Sequence, residues 1–246
     1  MARGFFITAT DTGVGKTVVA GALVRFLKGF LGLRVGAMKP IESGCPRQNG
    51  HLVPGDGTFL KEMAEMEEPI EEVTPYTFEA PLAPVTASEM EGTRIDINVI
   101  KEKFKILGAK YDAVVVEGMG GLLVPIKRDH SIGGMGKGGY YVLDLAMELE
   151  LPLIIVARAS LGTINHTLLT VRCALESGAR VAGVVINHQT PASSEGLAGR
   201  TGPSAIKDFS PVPVIGEFPF TEVLNAETIG KAACENLGMA ALQKFL

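Results

Sequence analysis

The sequence predicts an α/β fold: a single doubly wound parallel sheet with helices on both faces. Six short runs rich in Val, Ile and Leu alternate with longer stretches of helical character. Most of the runs are continuously apolar, which is typical of parallel strands covered on both faces and not of half-exposed strands. In addition, the first run leads through a glycine-containing turn into a helical stretch. This alternation of strands and helices favours a doubly wound sheet.

The elements are assigned in chain order from these apolar runs and the helical stretches between them. The predicted strands are 5–10, 35–39, 112–117, 151–157, 180–187 and 213–218. The predicted helices are 17–30, 56–66, 97–107, 140–149, 163–177 and 226–244. The sequence shows no repeat, heptad pattern or Pro-, Gly- or Ser-rich linker, so we expect one domain over residues 1–246. In such sheets, ligands bind beyond the carboxyl ends of the strands.

Composition narrows the class of function and the compartment. The 246 residues carry 23 Lys and Arg against 27 Asp and Glu, a formal net charge of −4, without a dense basic cluster. This balance argues against a nucleic-acid surface, which neutralises phosphates with basic residues. Cys45, Cys173 and Cys234 lie far apart without a CxxC pair, which favours a reducing cytoplasm. No apolar run approaches the roughly 20 residues that span a bilayer, so we expect no membrane partner.

Residues 9–17, "ATDTGVGKT", stand between the first predicted strand and the first predicted helix. Gly13 and Gly15 allow backbone N–H groups to point towards an anion, and the helix start adds partial positive charge. Lys16 can reach the β- and γ-phosphates of a nucleotide, and the Thr17 hydroxyl can bind magnesium. The stretch therefore predicts a phosphate-binding loop.

The head of this loop departs from the usual pattern, because Thr10 takes the place of the first glycine. The segment "TDT" puts hydroxyls and a carboxylate there, and with it the sequence resembles the dethiobiotin synthetases, whose loop reads T-D-T-x-V-G-K-T. Six later segments are similar to family motifs in the same order, so the resemblance covers essentially the whole chain. They are "KPIESG" (39–44), "PYTFEAPLAP" (75–84), "VVVEGMGGLLVP" (114–125), "LGTINHTLLT" (161–170), "GVVINH" (183–188) and "IGEFP" (215–219).

The resemblance implies an ATP- and Mg²⁺-dependent enzyme of biotin biosynthesis. Such an enzyme closes the ureido ring of dethiobiotin from 7,8-diaminononanoate and carbon dioxide. The reaction passes through a carbamate and a carbamic–phosphoric anhydride and releases ADP and phosphate. The resemblance also implies a homodimer with active sites at the interface between subunits.

The same resemblance assigns roles to individual residues. The expected catalytic residues are Thr12, Lys16 and Lys39. The expected nucleotide-binding residues are Gly13, Val14, Gly15, Lys16, Thr17, Glu117, Asn187 and Glu217. The expected substrate-binding residues are Thr12, Lys39, Ser43, Gly162, Thr163 and Asn165. The expected magnesium ligands are Thr17, Asp56 and Glu117. Where some relatives carry an acidic residue, this chain has Gly13, so no carboxylate role transfers there.

Several assignments have a structural alternative. Glu117 could cap the turn after its strand, although a buried carboxylate at a parallel strand end favours a cation partner. Asp56 could be a helix N-cap and Asn187 an ordinary turn residue. We expect His166 to be structural. The glycine-rich stretch 127–139 could be a mobile surface loop or a lid; its "GMGKGG" follows no strand and lacks a Ser or Thr after Lys137, so we exclude a second phosphate loop.

Two other functions are compatible with the loop. An amidoligase related to the cobyrinate amidating synthetases would need a glutaminase domain, for which 246 residues leave no room. A nucleotide-dependent switch of the partitioning type carries a signature lysine near the loop start, where this chain has Asp11. ATP turnover separates the two classes, since a synthetase needs the diamine and a switch needs a macromolecular partner.

Overall fold

A six-stranded, fully parallel sheet forms the centre of the structure, which is a computed structural model describing residues 3–128, 138–191, 196–238 and 242–246. In chain order the strands are β1 (Gly4–Ala9), β2 (Val35–Met38), β3 (Ile41–Ser43), β4 (Arg47–Gln48), β5 (His51–Leu52), β6 (Tyr76–Phe78), β7 (Ala113–Gly121), β8 (Pro125–Arg128), β9 (Gly139–Tyr141), β10 (Leu153–Arg158), β11 (Val181–Asn187) and β12 (Val214–Phe218). The central sheet has the order β12-β11-β10-β1-β7-β2, while β3–β6, β4–β5 and β8–β9 form separate pairs.

Helices connect and cover these strands. They are α1 (Lys16–Leu31), α2 (Gly55–Ala64), α3 (Ile70–Val73), α4 (Pro84–Glu91), α5 (Ile97–Lys110), α6 (Val142–Glu148), α7 (Thr163–Glu176), α8 (Leu197–Phe209) and α9 (Ala226–Asn236). α1 packs against α2 and α9, and α7 packs against α8. The doubly wound α/β prediction is confirmed, and the six predicted core strands are the six strands of the central sheet.

The strands form where the sequence supplies continuous apolar runs. Every residue of β1, β2 and β11 is buried, as two-sided coverage of a parallel sheet requires. Side chains from the sheet and from α1 join one hydrophobic cluster that includes Phe5 and Phe6. The order in which successive strands are added to the sheet reverses beside β1. The strands β2 and β7 lie on one side of β1, and β10, β11 and β12 lie on the other. A ligand crevice is expected at the carboxyl ends of the strands beside such a reversal.

Strand β7 continues four residues beyond its predicted end at 117 and bends as it does so. Ile7 of β1 pairs with Glu117, but Ala9 pairs with Gly121, so the register shifts just after the glutamate. Gly118 permits the close approach, because a Cβ there would lie 2.6 Å from a ring carbon of Phe6. The bend lies at the carboxyl edge, next to the phosphate-loop segment.

One predicted helix is too long, and α3, α4 and α8 were not predicted. The predicted helix 226–244 is too long, because α9 ends at Asn236 and Leu237 has extended backbone that forms an antiparallel bridge with Gly216. Helix α8 was missed, since an internal Pro203 and several glycines are poor helix formers. Its buried residues are Gly199, Gly202, Pro203 and Ile206, so small residues and one isoleucine make its buried face at helical spacing.

The glycine-rich stretch 127–139 is described only at its two ends. Lys127 and Arg128 belong to β8, which pairs antiparallel with β9 from Gly139 onwards. Residues 129–137 lie outside the described residues, and with them the choice between a surface loop and a lid. The exclusion of a second phosphate loop at "GMGKGG" also falls largely on that segment.

Candidate active site

The loop between β1 and α1 has the backbone geometry that anion binding needs. Gly13 and Gly15 have φ of 72° and 88°, a left-handed region that favours glycine. Gly15 is also the residue that caps α1, so the helix begins with Lys16. A Cβ on Gly15 would lie 2.1 Å from the Asn187 Nδ2, so contact as well as conformation requires glycine here.

Two side-chain amides at the end of β11 hold this loop through its backbone carbonyl groups. Asn187 Nδ2 donates to the Val14 carbonyl at 2.9 Å, and Gln189 Nε2 donates to the Gly13 carbonyl at 2.5 Å. These bonds engage the carbonyl side of the loop, and fixing a loop in advance reduces the entropy cost of binding. Asn187 therefore does more than form a turn. Its predicted contact with adenine stays a prediction.

Lys16 is largely buried at the start of α1 and lines the cavity described below. Burial lowers the pKa of Lys16, and the nearby positive charge of Lys39 lowers it further. The carboxylates of Glu117, Asp56 and Asp11 act in the opposite direction. A buried cation beside a second cation favours an anionic ligand such as a phosphate.

Lys39 and two carboxylates form a charged cluster beside the loop. Lys39 Nζ lies 2.8 Å from Asp56 Oδ2 and 2.5 Å from Glu117 Oε1. The Thr17 hydroxyl donates to the same Glu117 Oε1 at 3.0 Å. Glu117 is 1% exposed and Lys39 3% exposed, so this pair is buried at the floor of the site. The structure thus brings together four residues predicted from separate segments.

The charges in this cluster stabilise one another. Burial alone would lower the pKa of Lys39, but the charges and hydrogen bonds of Glu117 and Asp56 outweigh it and raise that pKa. Burial alone would raise the pKa of Asp56, but Lys39 and the Thr17 hydroxyl hold it below its ordinary value. Both shifts favour the charged forms, the ammonium of Lys39 and the carboxylate of Asp56.

Asp56 lies inside α2, not at its cap. Pro54 occupies the cap position of α2 and makes no side-chain bond to the helix, while Asp56 is in the first turn. The side chain of Asp56 contacts Lys39 and not the backbone of its own helix. The helix-cap alternative for Asp56 is therefore wrong, and the residue is available to the charged cluster.

Glu42 is a site residue that the sequence did not single out. It lies in β3, is nearly buried, and accepts hydrogen bonds from the backbone N–H groups of Asp56 and Gly57, both at 2.9 Å. Burial raises the pKa of the Glu42 carboxyl above its ordinary value. The motif "KPIESG" contains this residue, but nothing in the sequence indicates that it meets a helix start 14 residues later.

A cavity of about 440 Å³ contains this site. Its lining includes the loop, the charged cluster and the strand ends around them: Thr12, Gly13, Gly15, Lys16, Thr17, Val18, Lys39, Glu42, Ser43, Asp56, Glu117, Met119, Gly120 and Gln189. A second cavity of about 360 Å³ lies beyond the loop head and also reaches Thr12. Its walls are more apolar and include Leu122, Val124 and Leu169. Thr12 therefore stands between a charged space and an apolar one.

Other predicted residues lie outside the charged cavity. Gly162 caps α7 with φ of 89°, and Asn165 is exposed in its first turn. Thr163 is buried, with its Cγ2 3.1 Å from the position of a Cβ on Gly202 of α8. Glu217 is bound by Lys207 Nζ at 3.1 Å and by His188 Nε2 at 3.2 Å. The substrate role of residues 162–165 and the nucleotide role of Glu217 stay predictions.

The residues present fit a magnesium ion that is shared with a nucleotide. Glu117 Oε2 is buried and has no hydrogen-bond partner among the described residues, so it is available to a cation. Asp56 and the Thr17 hydroxyl complete a hard oxygen donor set. In the described part of the chain, no three His, Cys, Asp or Glu residues are grouped closely enough to hold a metal ion by themselves. This agrees with the usual binding of Mg²⁺ by one or two carboxylates together with substrate phosphates.

Comparison with known proteins identifies the family. A family model described as an AAA domain matches residues 3–228. A curated protein of Thermodesulfovibrio yellowstonii, named ATP-dependent dethiobiotin synthetase, is 44% identical over 98% of this chain and 99% of its own length. A protein of the same name from Bacillus subtilis is 36% identical over 98% of this chain and 97% of its own length.

Solved structures share the fold at low sequence identity. The MinD of Pyrococcus horikoshii, solved with Mg-ADP, and the MinC:MinD complex of Aquifex aeolicus each match with a TM-score of 0.52 and 15% identity. Each match covers 95% of this chain and 95% of the matched chain. At this identity the likeness shows the P-loop α/β fold alone. Among the described residues, no helix is long and apolar enough to cross a membrane.

Proposed function

The chain belongs to the ATP-dependent dethiobiotin synthetase family, and on that premise we propose that it closes the ureido ring of dethiobiotin from 7,8-diaminononanoate, carbon dioxide and ATP. The observation that carries this proposal is the charged cluster of Lys39, Asp56 and Glu117 beside the phosphate loop. It supplies one cation, Lys39, for a phosphoryl group and carboxylate oxygens for magnesium. A ligation of this type needs positioning and charge stabilisation, and no covalent enzyme intermediate.

The first step forms a carbamate. One amine of the diamine attacks carbon dioxide, forms a C–N bond and loses a proton. Thr12 and Ser43 line the same cavity as the charged cluster and offer hydroxyl groups to the diamine nitrogens. The neighbouring apolar cavity that also reaches Thr12 suits the hydrocarbon chain of the diamine.

The second step transfers the γ-phosphoryl group of ATP. A carbamate oxygen attacks the γ-phosphorus, the bond to the β-phosphate oxygen breaks, and ADP leaves. Lys16 and Lys39 stabilise the negative charge that develops on the transferred group. Thr17, Asp56 and Glu117 would hold the magnesium ion, which compensates charge on the phosphate oxygens when it is bound. In this proposal Gly13, Val14 and Gly15 bind the phosphates, and Asn187 and Glu217 bind the nucleotide on its base side.

The third step closes the ring. The second amine attacks the carbonyl carbon of the carbamic–phosphoric anhydride, the bond to the phosphate oxygen breaks, and phosphate and a proton leave. Both nitrogens must bond to the same carbon. The main contribution of the protein to the rate of this step is therefore to hold the diamine with its two nitrogens close together.

A second copy of the chain is part of the proposal. Leu161 is 86% exposed, and Ile164 and Leu169 on α7 are also exposed. These apolar side chains surround the helix start at Gly162, Thr163 and Asn165, where N–H groups and the helix dipole favour the carboxylate of the diamine. A homodimer would cover them and bring this helix start to the partner's site. One domain over residues 1–246 and a cytoplasmic location are kept as parts of the same proposal.

Product analysis tests the function. The protein is incubated with diaminononanoate, bicarbonate, ATP and magnesium, and the product is identified by mass spectrometry. We expect a product heavier than the diamine by one carbonyl unit minus two hydrogens, with one ADP per product. Omitting the diamine should stop ATP turnover. Lys16→Ala serves as the inactive control, with a loss of about 10²–10³ in rate. No product at saturating substrates would contradict the proposal.

A further inference from the structure

Glu42 connects β3 to the start of α2 through two hydrogen bonds. Its Oε1 accepts from Asp56 N and its Oε2 from Gly57 N, each at 2.9 Å. Both N–H groups belong to the first turn of α2, where the first four N–H groups lack partners within the helix. A carboxylate at this end also interacts favourably with the helix dipole.

This arrangement replaces a local helix cap. Pro54 stands at the cap position and makes no side-chain hydrogen bond to the helix, so the capping carboxylate comes from another strand. The fit is close. A Cβ on Gly57 would lie 2.0 Å from Thr74 Oγ1 and 3.6 Å from Glu42 Oε2, so the helix start can take this position only with glycine at 57.

The capped residue is the one that meets Lys39. Asp56 presents its backbone N–H to Glu42 and its carboxylate to Lys39 Nζ at 2.8 Å. The side chain of Asp56 is partly exposed, unlike its partners, since 42% of it is accessible against 4% for Lys39. Packing therefore constrains the Asp56 side chain less than those of Lys39 and Glu117. The hydrogen bond from the Asp56 backbone to Glu42 is then needed to fix its position.

We propose that Glu42 is a positioning residue that fixes Asp56 for binding the magnesium–nucleotide complex, an inference that rests on the proposed function. Glu42 lines the cavity, but both of its oxygens are engaged by the helix start. It acts through Asp56 and not by contact with phosphate. Partners that orient a metal ligand typically change metal affinity about 10–100-fold when they are mutated.

Glu42→Gln tests this role, because glutamine keeps the shape but offers only one acceptor oxygen and turns an N–H donor towards the helix start. ADP binding is measured by calorimetry over a series of magnesium concentrations. We expect the half-saturating magnesium concentration to rise about tenfold or more, with ADP binding recovered at high magnesium. The readout needs neither the diamine nor carbon dioxide, so a failure of ring closure in the wild-type protein would not disturb it.

Asp96→Asn is the matched control. Asp96 caps α5 and accepts from Asn98 N at 2.9 Å, and it does not line the cavity. This variant should lower the melting temperature and leave the magnesium requirement unchanged. If Glu42→Gln behaves in the same way, Glu42 is only a structural cap and the proposal is wrong.

A double-mutant cycle with Asp56→Asn decides whether Glu42 acts through Asp56. In the Asp56→Asn background, Glu42→Gln should cause no further rise in the magnesium requirement. Additive effects would overturn the proposal. Should Glu42→Gln fail to fold, Glu42→Asp keeps the charge but withdraws it by one methylene. A folded Glu42→Asp protein with wild-type magnesium dependence would equally contradict the inference.

Discussion

At the residue scale, the site depends on side chains whose charges are set by their neighbours. Lys39 is nearly inaccessible, yet two carboxylates within 2.8 Å keep it charged. Lys16 has carboxylates nearby but no ion pair of this closeness with any residue in the described ranges, and its burial weakens its charged form. The two lysines are chemically different for this reason, although both are proposed to stabilise the transferred phosphoryl group.

The lowered pKa of Lys16 predicts an alkaline limit for nucleotide capture. In the free protein Lys16 loses its proton below the ordinary lysine pKa of 10.5, because burial disfavours the ammonium form. Bound phosphate restores the charged form. The alkaline limb of kcat/KM for ATP should therefore lie below 10.5 and at a lower pH than the limb of kcat, as steady-state profiles would measure. If the alkaline limbs of kcat/KM and kcat coincide at or above pH 10.5, Lys16 does not limit nucleotide capture in this way.

The carboxylates predict a magnesium phenotype. Glu117→Gln and Asp56→Asn keep the shape of the side chains but remove the charge that holds a hard cation. Each should raise the magnesium concentration needed for half-maximal ATP turnover by about tenfold or more. Glu89→Gln on α4, whose carboxylate pairs with Arg128 at the surface, is the control and should change nothing. A wild-type magnesium requirement in Asp56→Asn would remove that residue from the ligand set.

At the element scale, the site depends on the ends of three elements. Hydrogen bonds from other segments hold two of these ends, and the third is a strand that bends. The loop before α1 is held by the amides of Asn187, the last residue of β11, and Gln189 just beyond it, and the start of α2 is held by Glu42 of β3. Strand β7 bends just after Glu117. None of these connections is local in sequence, so each element end depends on a partner from another part of the chain.

Two glycines in and beside α1 give a matched pair of substitutions. Gly15→Ala adds a Cβ 2.1 Å from Asn187 Nδ2 at a φ of 88°, so it should abolish ATP binding. Gly29→Ala, in the exposed last turn of the same helix with no atom within 4 Å of its Cβ, should stabilise the protein by about 0.4–1 kcal/mol. Thermal melts and calorimetry measure both. Normal ATP binding by Gly15→Ala would show that the loop conformation is not required.

At the scale of the whole molecule, the exposed apolar side chains around the start of α7 predict a shared site. Two inactive variants are mixed: Lys16→Ala, and Gly162→Val with Asn165→Asp. In a mixed dimer one site receives both lesions and the other none. Random remixing should therefore restore about a quarter of wild-type activity, since about half the dimers are mixed and each has one intact site of two.

Subunit exchange must be shown independently in that experiment, for instance by native mass spectrometry of tagged and untagged chains. Remixing wild type with Lys16→Ala gives the activity scale. If exchange occurs and no activity returns, each site is built within one chain, and the role proposed for residues 162–165 is wrong.

The sequence by itself determined the sheet, the phosphate loop and the family. Continuous apolar runs such as "DAVVVE" are typical of parallel strands buried on both faces, and Gly-Lys-Thr between a strand and a helix is typical of a phosphate-binding loop. Through the resemblance to a family, it also assigned a catalytic role to Lys39 and magnesium binding to Asp56 and Glu117.

The tertiary structure decided what those residues do to one another. Glu42 capping a distant helix, Asn187 holding the Val14 carbonyl, and the small-residue face of α8 all depend on contacts between segments far apart in the chain. Local propensity opposed α8, because Pro203 and the glycines disfavour a helix until packing against α7 compensates. Local sequence patterns indicate which residues are buried and where the backbone needs glycine. A hydrogen bond between two distant segments does not alter the residue pattern of either segment, so the sequence does not predict it.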